Sequence, residues 1–239
     1  MMRKVRADLH LHTCLSPCAD DQMQATAIVK QAKRIGLDMI GICDHNSAEN
    51  VAAVAKAGRR EGLSVIGGME ITSREEAHIL GLFENEHDLM QMQELVYANL
   101  PGENSEEAFG PQTVIDEWDR VVGANQRLLI GATTLTVEQV VEAIHERSGL
   151  AIASHVDRER FSLIGQLGFI PQGLDLDALE VSRPSAMQQE YDYPVVTSSD
   201  AHFLEDIGIN CTTFTLEALS VSEIRKALRH EMGRSVALN

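Results

Sequence analysis

Short apolar segments that end in histidine or acidic residues recur along this chain, and they constrain its fold more than any other feature. Six of the nine histidines lie in this setting. In an α/β barrel the carboxyl ends of the strands meet on one face, so residues distant in sequence can converge there. Imidazole and carboxylate groups bind zinc, manganese and iron. The pattern therefore predicts a metal site, built from Asp8-Leu9-His10-Leu11-His12, Asp44-His45, Glu70 with His78, Ser154-His155 and Asp200-Ala201-His202.

Strand and helix signals alternate along most of the chain. Apolar periodicity predicts helices at 23–35, 48–61, 89–98, 137–147 and 219–229, and strands at 5–11, 37–43, 63–69, 77–83, 149–153, 178–181, 194–197 and 211–214. Repeated β-then-α units predict a mostly parallel sheet, closed or nearly closed, in a single α/β domain over residues 1–239. The pattern breaks at 101–131, which we interpret as an insertion or arm with a hairpin near 121–124. That this segment covers the site is a hypothesis.

The composition limits the partners that we expect. The chain has 20 basic and 36 acidic residues and a formal charge of −16. Such a surface repels phosphate backbones, so we expect no duplex nucleic acid partner. No apolar run approaches the roughly 20 residues that cross a bilayer, and no signal peptide is evident, so we expect no membrane partner and a cytoplasmic location. The cysteines are expected to be buried, reduced thiols and not metal ligands: Cys14, Cys18, Cys43 and Cys211.

The first motif carries the clearest geometric signal. Side chains on a strand repeat every second residue, so His10 and His12 share a face and can bind one ion. On the same reasoning Asp8 shares that face, as a ligand or as a residue that orients one.

The other positions each have an ordinary structural explanation. Asp44 could cap a helix and leave His45 exposed, His155 could be a core histidine, and Glu70 could be a surface acid. Their joint placement at strand ends favours the metal site over these alternatives.

With these residues identified, the chain resembles the PHP (polymerase and histidinol phosphatase) family over nearly its whole length. The resemblance implies a distorted, TIM-like (β/α)7 barrel with its metal ligands at the C-terminal ends of the strands. It is carried by Asp8-Leu9-His10-Leu11-His12-Thr13, Asp44-His45-Asn46, Gly67-Gly68-Met69-Glu70, His78-Ile79-Leu80-Gly81-Leu82, Ser154-His155 and Ser199-Asp200-Ala201-His202.

The same resemblance implies two or three divalent ions, which would be zinc, manganese or iron. The first ion would be held by His10, His12, Glu70 and Asp200. Glu70 would bridge to a second ion held by His78 and His155. The third would be held by Asp20, His45 and His202, although the Ser16-Pro17-Cys18-Ala19 loop departs from the family's commoner turn and Asp21 adjoins Asp20.

The resemblance further implies hydrolysis of a phosphoester by a metal-activated hydroxide, on a small phosphorylated metabolite or nucleotide. Asp200, His202 and Arg158 would be catalytic, and Arg158 would also bind substrate phosphate. Arg183, at the end of a strand, is a second candidate for the phosphate, although a surface ion pair would explain it equally well. Three alternatives stay open: an exonuclease or oligonucleotide phosphodiesterase of the same family, an amidohydrolase-type metallohydrolase, and a non-catalytic metal-binding scaffold. An aromatic content of 4% offers few stacking platforms for single strands, which disfavours a nuclease. Neither the substrate nor the oligomeric state follows from the sequence.

Overall fold

A computed structural model describes residues 1–183 and 192–238. The strands are β1 (Arg3–Leu11), β2 (Met39–Ile42), β3 (Ser64–Thr72), β4 (His78–Phe83), β5 (Thr113–Ile115), β6 (Val121–Ala124), β7 (Leu150–Ala153), β8 (Ala178–Glu180), β9 (Val195–Val196), β10 (Thr212–Leu216) and β11 (Ser235–Leu238). The helices are α1 (Ala25–Arg34), α2 (Val51–Glu61), α3 (Glu86–Ala98), α4 (Glu106–Phe109), α5 (Val137–Glu146), α6 (Leu163–Leu167) and α7 (Val221–Leu228). None of the described helices is long and apolar enough to cross a membrane.

Nine of these strands form one sheet that nearly closes on itself. Their order is β11-β10-β1-β2-β3-β4-β7-β8-β9, and the two outermost strands contact each other. Hydrogen bonds also join β10 to the residue after β9: the Thr212 hydroxyl accepts from the Thr197 N–H and donates to the Thr197 carbonyl, each at 2.8 Å. The expected distorted barrel is thereby confirmed.

The sheet is mixed, where the β-then-α rhythm predicted a mostly parallel one. Within the described residues four pairings are parallel (β1–β2, β2–β3, β7–β8 and β8–β9), and the other four are antiparallel. The short connection between β3 and β4 explains part of this, because a parallel neighbour needs a long crossover. Because β4 is antiparallel, it starts at the end of the barrel where β3 finishes. His78, its first residue, therefore lies at the same end as the histidines and acidic residues that follow the parallel strands.

A bulge in β1 changes which of its side chains share a face. Asp8 pairs with Ile40 and Leu11 with Ile42, so β1 carries one extra residue between them. The side chain of Asp8 therefore does not share a face with those of His10 and His12, contrary to the alternation expected for a regular strand. Its carboxylate accepts the backbone N–H groups of Ser199 and Gly208, at 2.9 and 2.8 Å. Burial raises the pKa of Asp8 to about 6 against these hydrogen bonds.

Residues 101–131 form the expected hairpin and a short helix packed beside the barrel. β5 pairs with β6, and α4 precedes them. The Asn50 side chain donates to the Thr113 carbonyl and accepts the Ile115 N–H, which attaches the hairpin to the start of α2. Asn46, in a left-handed conformation beside the metal ligands, donates to the carbonyls of Leu129 and Gly131 at 2.8 Å each. These contacts support the loops around the site; coverage of the site by this segment stays a hypothesis.

Candidate metal centre

Six histidines and two carboxylates meet at one end of the barrel. His10 and His12 come from the end of β1, His45 follows β2, and Glu70 lies near the end of β3. His78 opens β4, His155 follows β7, and Asp200 and His202 follow β9. Apart from Asp200 and His202, which are partly exposed, all of them are buried. The fold thus collects side chains that lie up to 192 positions apart, from His10 to His202.

The Glu70 carboxylate lies at the centre of the group. Both of its oxygens are surrounded by imidazole nitrogens and by little else. Oε1 lies 3.0 Å from His78 Nδ1, 3.3 Å from His155 Nε2 and 3.4 Å from His10 Nε2. Oε2 lies 2.9 Å from His45 Nδ1 and 3.5 Å from His12 Nε2. A carboxylate with this environment can bridge two cations.

Asp200 supplies a second carboxylate on the other side of the β1 histidines. Its Oδ1 lies 3.1 Å from His12 Nε2 and 3.3 Å from His10 Nε2. Both Asp200 and His155 have positive φ values, 51° and 30°. Such backbone is strained for a residue with a Cβ, and strain of this kind concentrates at functional sites.

Hydrogen bonds fix which ring nitrogens face the centre. His10 Nδ1 lies 3.0 Å from Glu180 Oε1, and a carboxylate accepts a proton there, so the neutral His10 ring that binds an ion has Nε2 free. His12 Nδ1 lies 2.9 Å from Ser16 Oγ, whose own proton goes to Asp44 Oδ1. The Ser16 hydroxyl therefore accepts from His12, and the Nε2 of His12 is bare as well. Pairings of this type orient metal-ligating histidines in proteins.

The residues present fit divalent metal ions. Their ligand atoms form three groups within 4.8 Å: His10, His12, Glu70 and Asp200; His45, Glu70 and His78; and His12, His45 and His202. Among the described residues, Glu70 Oε1, His45 Nδ1 and His78 Nδ1 are buried and make no hydrogen bond of acceptable geometry. Buried polar atoms normally have a partner, and a cation satisfies this set of donors.

The pKa shifts of Glu70 and His12 favour the protonation states that bind a cation. Burial alone would raise the pKa of Glu70, but the charges of His78, His10 and His45 outweigh it and hold that pKa well below its usual range. Burial lowers the pKa of His12, and His202 and His45 lower it further. Glu70 is consequently an anion and His12 a neutral ligand near neutral pH.

Two of the groups differ from the sequence-based expectation: the second contains His45 in place of His155, and the third contains His12 in place of Asp20. The Asp20 carboxylate and the Cys18 thiol are both outside the three groups, and Asp20 Oδ1 accepts the Gln22 N–H at 2.9 Å. Cys18 is instead exposed beside His202, with Sγ 3.1 Å from Nε2, so its expected burial is wrong. Although the residue is exposed, its sulfur faces the protein and is partly desolvated, which raises the pKa of Cys18; hydrogen bonds with His202 and His45 outweigh this and lower it to about 6. Cys14, Cys43 and Cys211 are buried as expected.

The two arginines singled out from the sequence have different surroundings. Arg158 lies at the site: its Nη1 donates to Asp200 Oδ2 at 2.5 Å and its Nε to Ser182 Oγ at 2.9 Å. Arg183 is exposed, and its backbone N–H donates to Asp157 at 2.9 Å. No contact within the described residues brings its side chain to the ligands.

Sequence reasoning missed the residues behind the ligands. Glu180 is buried at the end of β8, accepting from His10 and, at 3.2 Å, from the His155 N–H. Asp44 was considered as a helix cap, yet it accepts from Thr13 and Ser16 and holds their loop against the site. An acidic residue inside an apolar strand, as in Ala178-Leu179-Glu180-Val181, was the available signal for Glu180.

The sequence matches a family model that agrees with this geometry. The PHP domain model matches residues 8–162, and a PHP-associated model matches residues 186–231. The chain belongs to the PHP domain family. Its His, Glu and Asp groups are suited to divalent metals.

This PHP domain is similar in sequence to proteins with different names. It is 27% identical over 185 residues to an uncharacterised protein from Methanocaldococcus jannaschii, in a match that covers 74% of this chain and 81% of that one. It is 30% identical over 80 residues to phosphoribosyl 1,2-cyclic phosphate 1,2-diphosphodiesterase from Eggerthella lenta, covering 31% of this chain and 29% of that one.

The fold is shared with endonuclease Q. The structure of that lesion-specific endonuclease from Pyrococcus furiosus has a TM-score of 0.71 and 19% identity, and the match covers 98% of this chain and 58% of the endonuclease. A second structure, with a TM-score of 0.69 and 19% identity, holds a 27-mer duplex with an abasic lesion at the active site; it is matched over 98% of this chain and 58% of its own.

These structures overturn one expectation. The PHP domain was expected to have no duplex nucleic acid partner because of its acidic charge, and that exclusion is wrong, since the same fold receives a duplex in endonuclease Q. Net charge averages over the whole surface, whereas bound cations and a local arginine set the field at a metal site.

Proposed function

We propose that this PHP protein hydrolyses a phosphomonoester in a small phosphorylated metabolite or a nucleotide. The observation that carries the proposal is the Glu70 carboxylate, shared among five imidazoles with Asp200 opposite. Divalent ions bound there would activate a water and neutralise phosphoryl oxygens. Zinc, manganese and iron are the ions we propose, held by His10, His12, His45, Glu70, His78, His155, Asp200 and His202.

The remaining residues would orient the substrate. Arg158 is 42% exposed and bonded to Asp200, so its guanidinium can exchange part of that ion pair for a phosphoryl oxygen. Asp200 would then be a metal ligand and would also position Arg158, which binds the phosphate. The Asp200 carbonyl fixes the His202 ring through Nδ1 at 2.8 Å, which keeps that ring at the mouth of the site. Arg183 is proposed as a second phosphate contact.

Cleavage of a phosphodiester in a nucleic acid is a second candidate, and two observations favour it. One is the shared fold with endonuclease Q. The other is Phe161, a 44% exposed ring stacked on His78 with centroids 5.1 Å apart. An exposed ring beside the reacting atoms can stack a nucleobase.

A substrate panel separates the two candidates. The protein would be loaded with zinc, manganese or iron(II) in turn and assayed on nucleoside monophosphates, sugar phosphates, single-stranded oligonucleotides and a duplex with an abasic site. Phosphate release from the small monoesters, absent in the His10→Ala, His12→Ala double variant, supports the proposal. Cleavage of oligonucleotides alone replaces it with the second candidate, and no turnover of any substrate with any metal refutes both.

Two other expectations belong to the proposal. We propose that residues 1–239 form a single domain with 101–131 as an insertion, and that the protein works in the cytoplasm.

A further inference from the structure

The loop after β1 brings a thiol to the group formed by His12, His45 and His202. Ring nitrogens of these histidines lie within 4.8 Å of one another. Cys18 Sγ lies 3.1 Å from His202 Nε2. The Asp200 carbonyl can only accept, so the proton of the neutral His202 ring is on Nδ1, and Nε2 faces the sulfur with a free lone pair.

We propose that Cys18 is a ligand of the ion held by His45 and His202, in the position that the family resemblance gives to Asp20. The sulfur is already at the distance that two ligands of one ion adopt, because zinc–sulfur and zinc–nitrogen bonds of about 2.3 and 2.0 Å bring neighbouring ligand atoms to between 3 and 4 Å. Metal binding would take the thiol as its thiolate and release its proton to solvent.

The loop that presents Cys18 is held on both sides. Before the cysteine, Ser16 Oγ donates to Asp44, and the Ala19 N–H bonds back to the Ser16 carbonyl at 2.9 Å. After it, the Asp20 N–H donates to the His202 carbonyl at 2.9 Å. This second bond ties the loop to His202 through the backbone of Asp20, while the Asp20 carboxylate accepts from Gln22. The turn therefore directs position 18 toward the histidines.

A thiolate changes which metal this position prefers. Carboxylate and imidazole ligands accept manganese readily, whereas a soft sulfur ligand favours zinc or iron(II). The first two groups contain only nitrogen and oxygen ligands, so the inference predicts that this third ion differs in preference from its neighbours. Ligation by Cys18 does not depend on which substrate the protein hydrolyses.

Cobalt(II) substitution tests the assignment without any turnover. A cobalt-bound thiolate absorbs in the near ultraviolet by charge transfer, and imidazole or carboxylate ligands give no such band. The protein and three variants would be saturated with cobalt(II): Cys18→Ser, Asp20→Asn and the matched control Cys14→Ser, which removes a buried thiol of the same loop that contacts Asn50 and the Thr113 carbonyl. Spectra and bound cobalt per chain would be measured, with the circular dichroism spectrum as a check of folding.

We expect the band in the unsubstituted protein, Asp20→Asn and Cys14→Ser, and its loss in Cys18→Ser with the fold intact. Competition between zinc and manganese should shift toward manganese in Cys18→Ser for one ion per chain. A saturated protein without the band, or a band that survives in Cys18→Ser, overturns the assignment. Phosphoester hydrolysis plays no part in either readout, so a failed substrate panel and a failed ligand assignment remain distinct results.

Discussion

Glu180 offers a demanding prediction because it is buried, charged and touches no substrate. Its two oxygens lie 3.0 and 3.3 Å from His10 Nδ1, and Oε1 also accepts the His155 N–H at 3.2 Å. One side chain thus orients two proposed metal ligands. The negative charges of Glu180, Asp200 and Glu70 outweigh burial and hold the pKa of His10 well above its usual range.

Glu180→Gln keeps the size of the side chain and removes its charge. The amide can present its NH2 group to His10, which would move the ring proton to Nε2, the atom that faces Glu70 and Asp200. Loss of a carboxylate partner behind a metal-bound histidine costs about 10- to 100-fold in metal affinity. This corresponds to ~1.4–2.7 kcal/mol for the ion that His10 binds.

The assay is metal binding, measured by competition with a chelator of known affinity. The control is Asp177→Asn, which also removes a buried carboxylate from a histidine, since Asp177 lies 2.9 Å from His145 Nε2 away from the site. We expect weaker binding in Glu180→Gln and unchanged binding in the control. Equal affinity in Glu180→Gln and the unsubstituted protein would refute the role of Glu180.

Three further predictions concern catalysis, packing and acid stability. Arg158→Ala should lower kcat/KM by about 10²-fold with the metal content unchanged. Arg158→Lys should restore little of this activity, because a lysine cannot form the forked contact of a guanidinium. Unchanged steady-state kinetics in Arg158→Ala would exclude a phosphate contact. Gly41→Ala should destabilise the barrel by about 3 kcal/mol or more in urea titrations, because a Cβ there would lie 2.3 Å from a β1 carbonyl oxygen. Gly123→Ala is the control: no atom lies within 4 Å of the added Cβ, so its stability should be nearly unchanged. Glu223→Gln should remove stability that is present at pH 7, because hydrogen bonds from Arg234 lower the folded-state pKa of Glu223 to about 2. A depressed carboxyl pKa stabilises the fold above the unfolded value near 4.5 and loses that effect as the pH falls toward 2, so the difference in stability between the two proteins should vanish over that range. A difference independent of pH would contradict the assignment.

The sequence predicted the barrel and the convergence of its ligands because both follow from local patterns. Apolar segments identify strands, and the residue after a segment identifies the face on which it emerges. The direction of β4 was not predictable in this way, since an apolar run reads the same for a parallel and an antiparallel strand. The bulge at Asp8 was equally hidden: one extra residue in a strand leaves no mark in its composition, yet it removes Asp8 from the ligand face.

The residues missed at the site depend on contacts between distant segments. Glu180 meets His10 across 170 positions, and Cys18 meets His202 across 184. No spacing rule connects such pairs, and the resemblance to the PHP family implied Asp20, not Cys18, as the ligand from this loop. In the structure Cys18 Sγ lies 3.1 Å from His202 Nε2, whereas the Asp20 carboxylate accepts the Gln22 N–H.

The central claim is that Glu70 joins separate ions at the end of the barrel, and the number of ions per chain tests it most directly. Purified protein would be stripped with a chelator, reconstituted with zinc or manganese, and analysed by elemental mass spectrometry beside Glu70→Gln. The unsubstituted protein should hold two or three ions, and Glu70→Gln should lose at least one while remaining folded. An unsubstituted protein that retains no ion, or a Glu70→Gln variant with the same number of ions, would contradict the account.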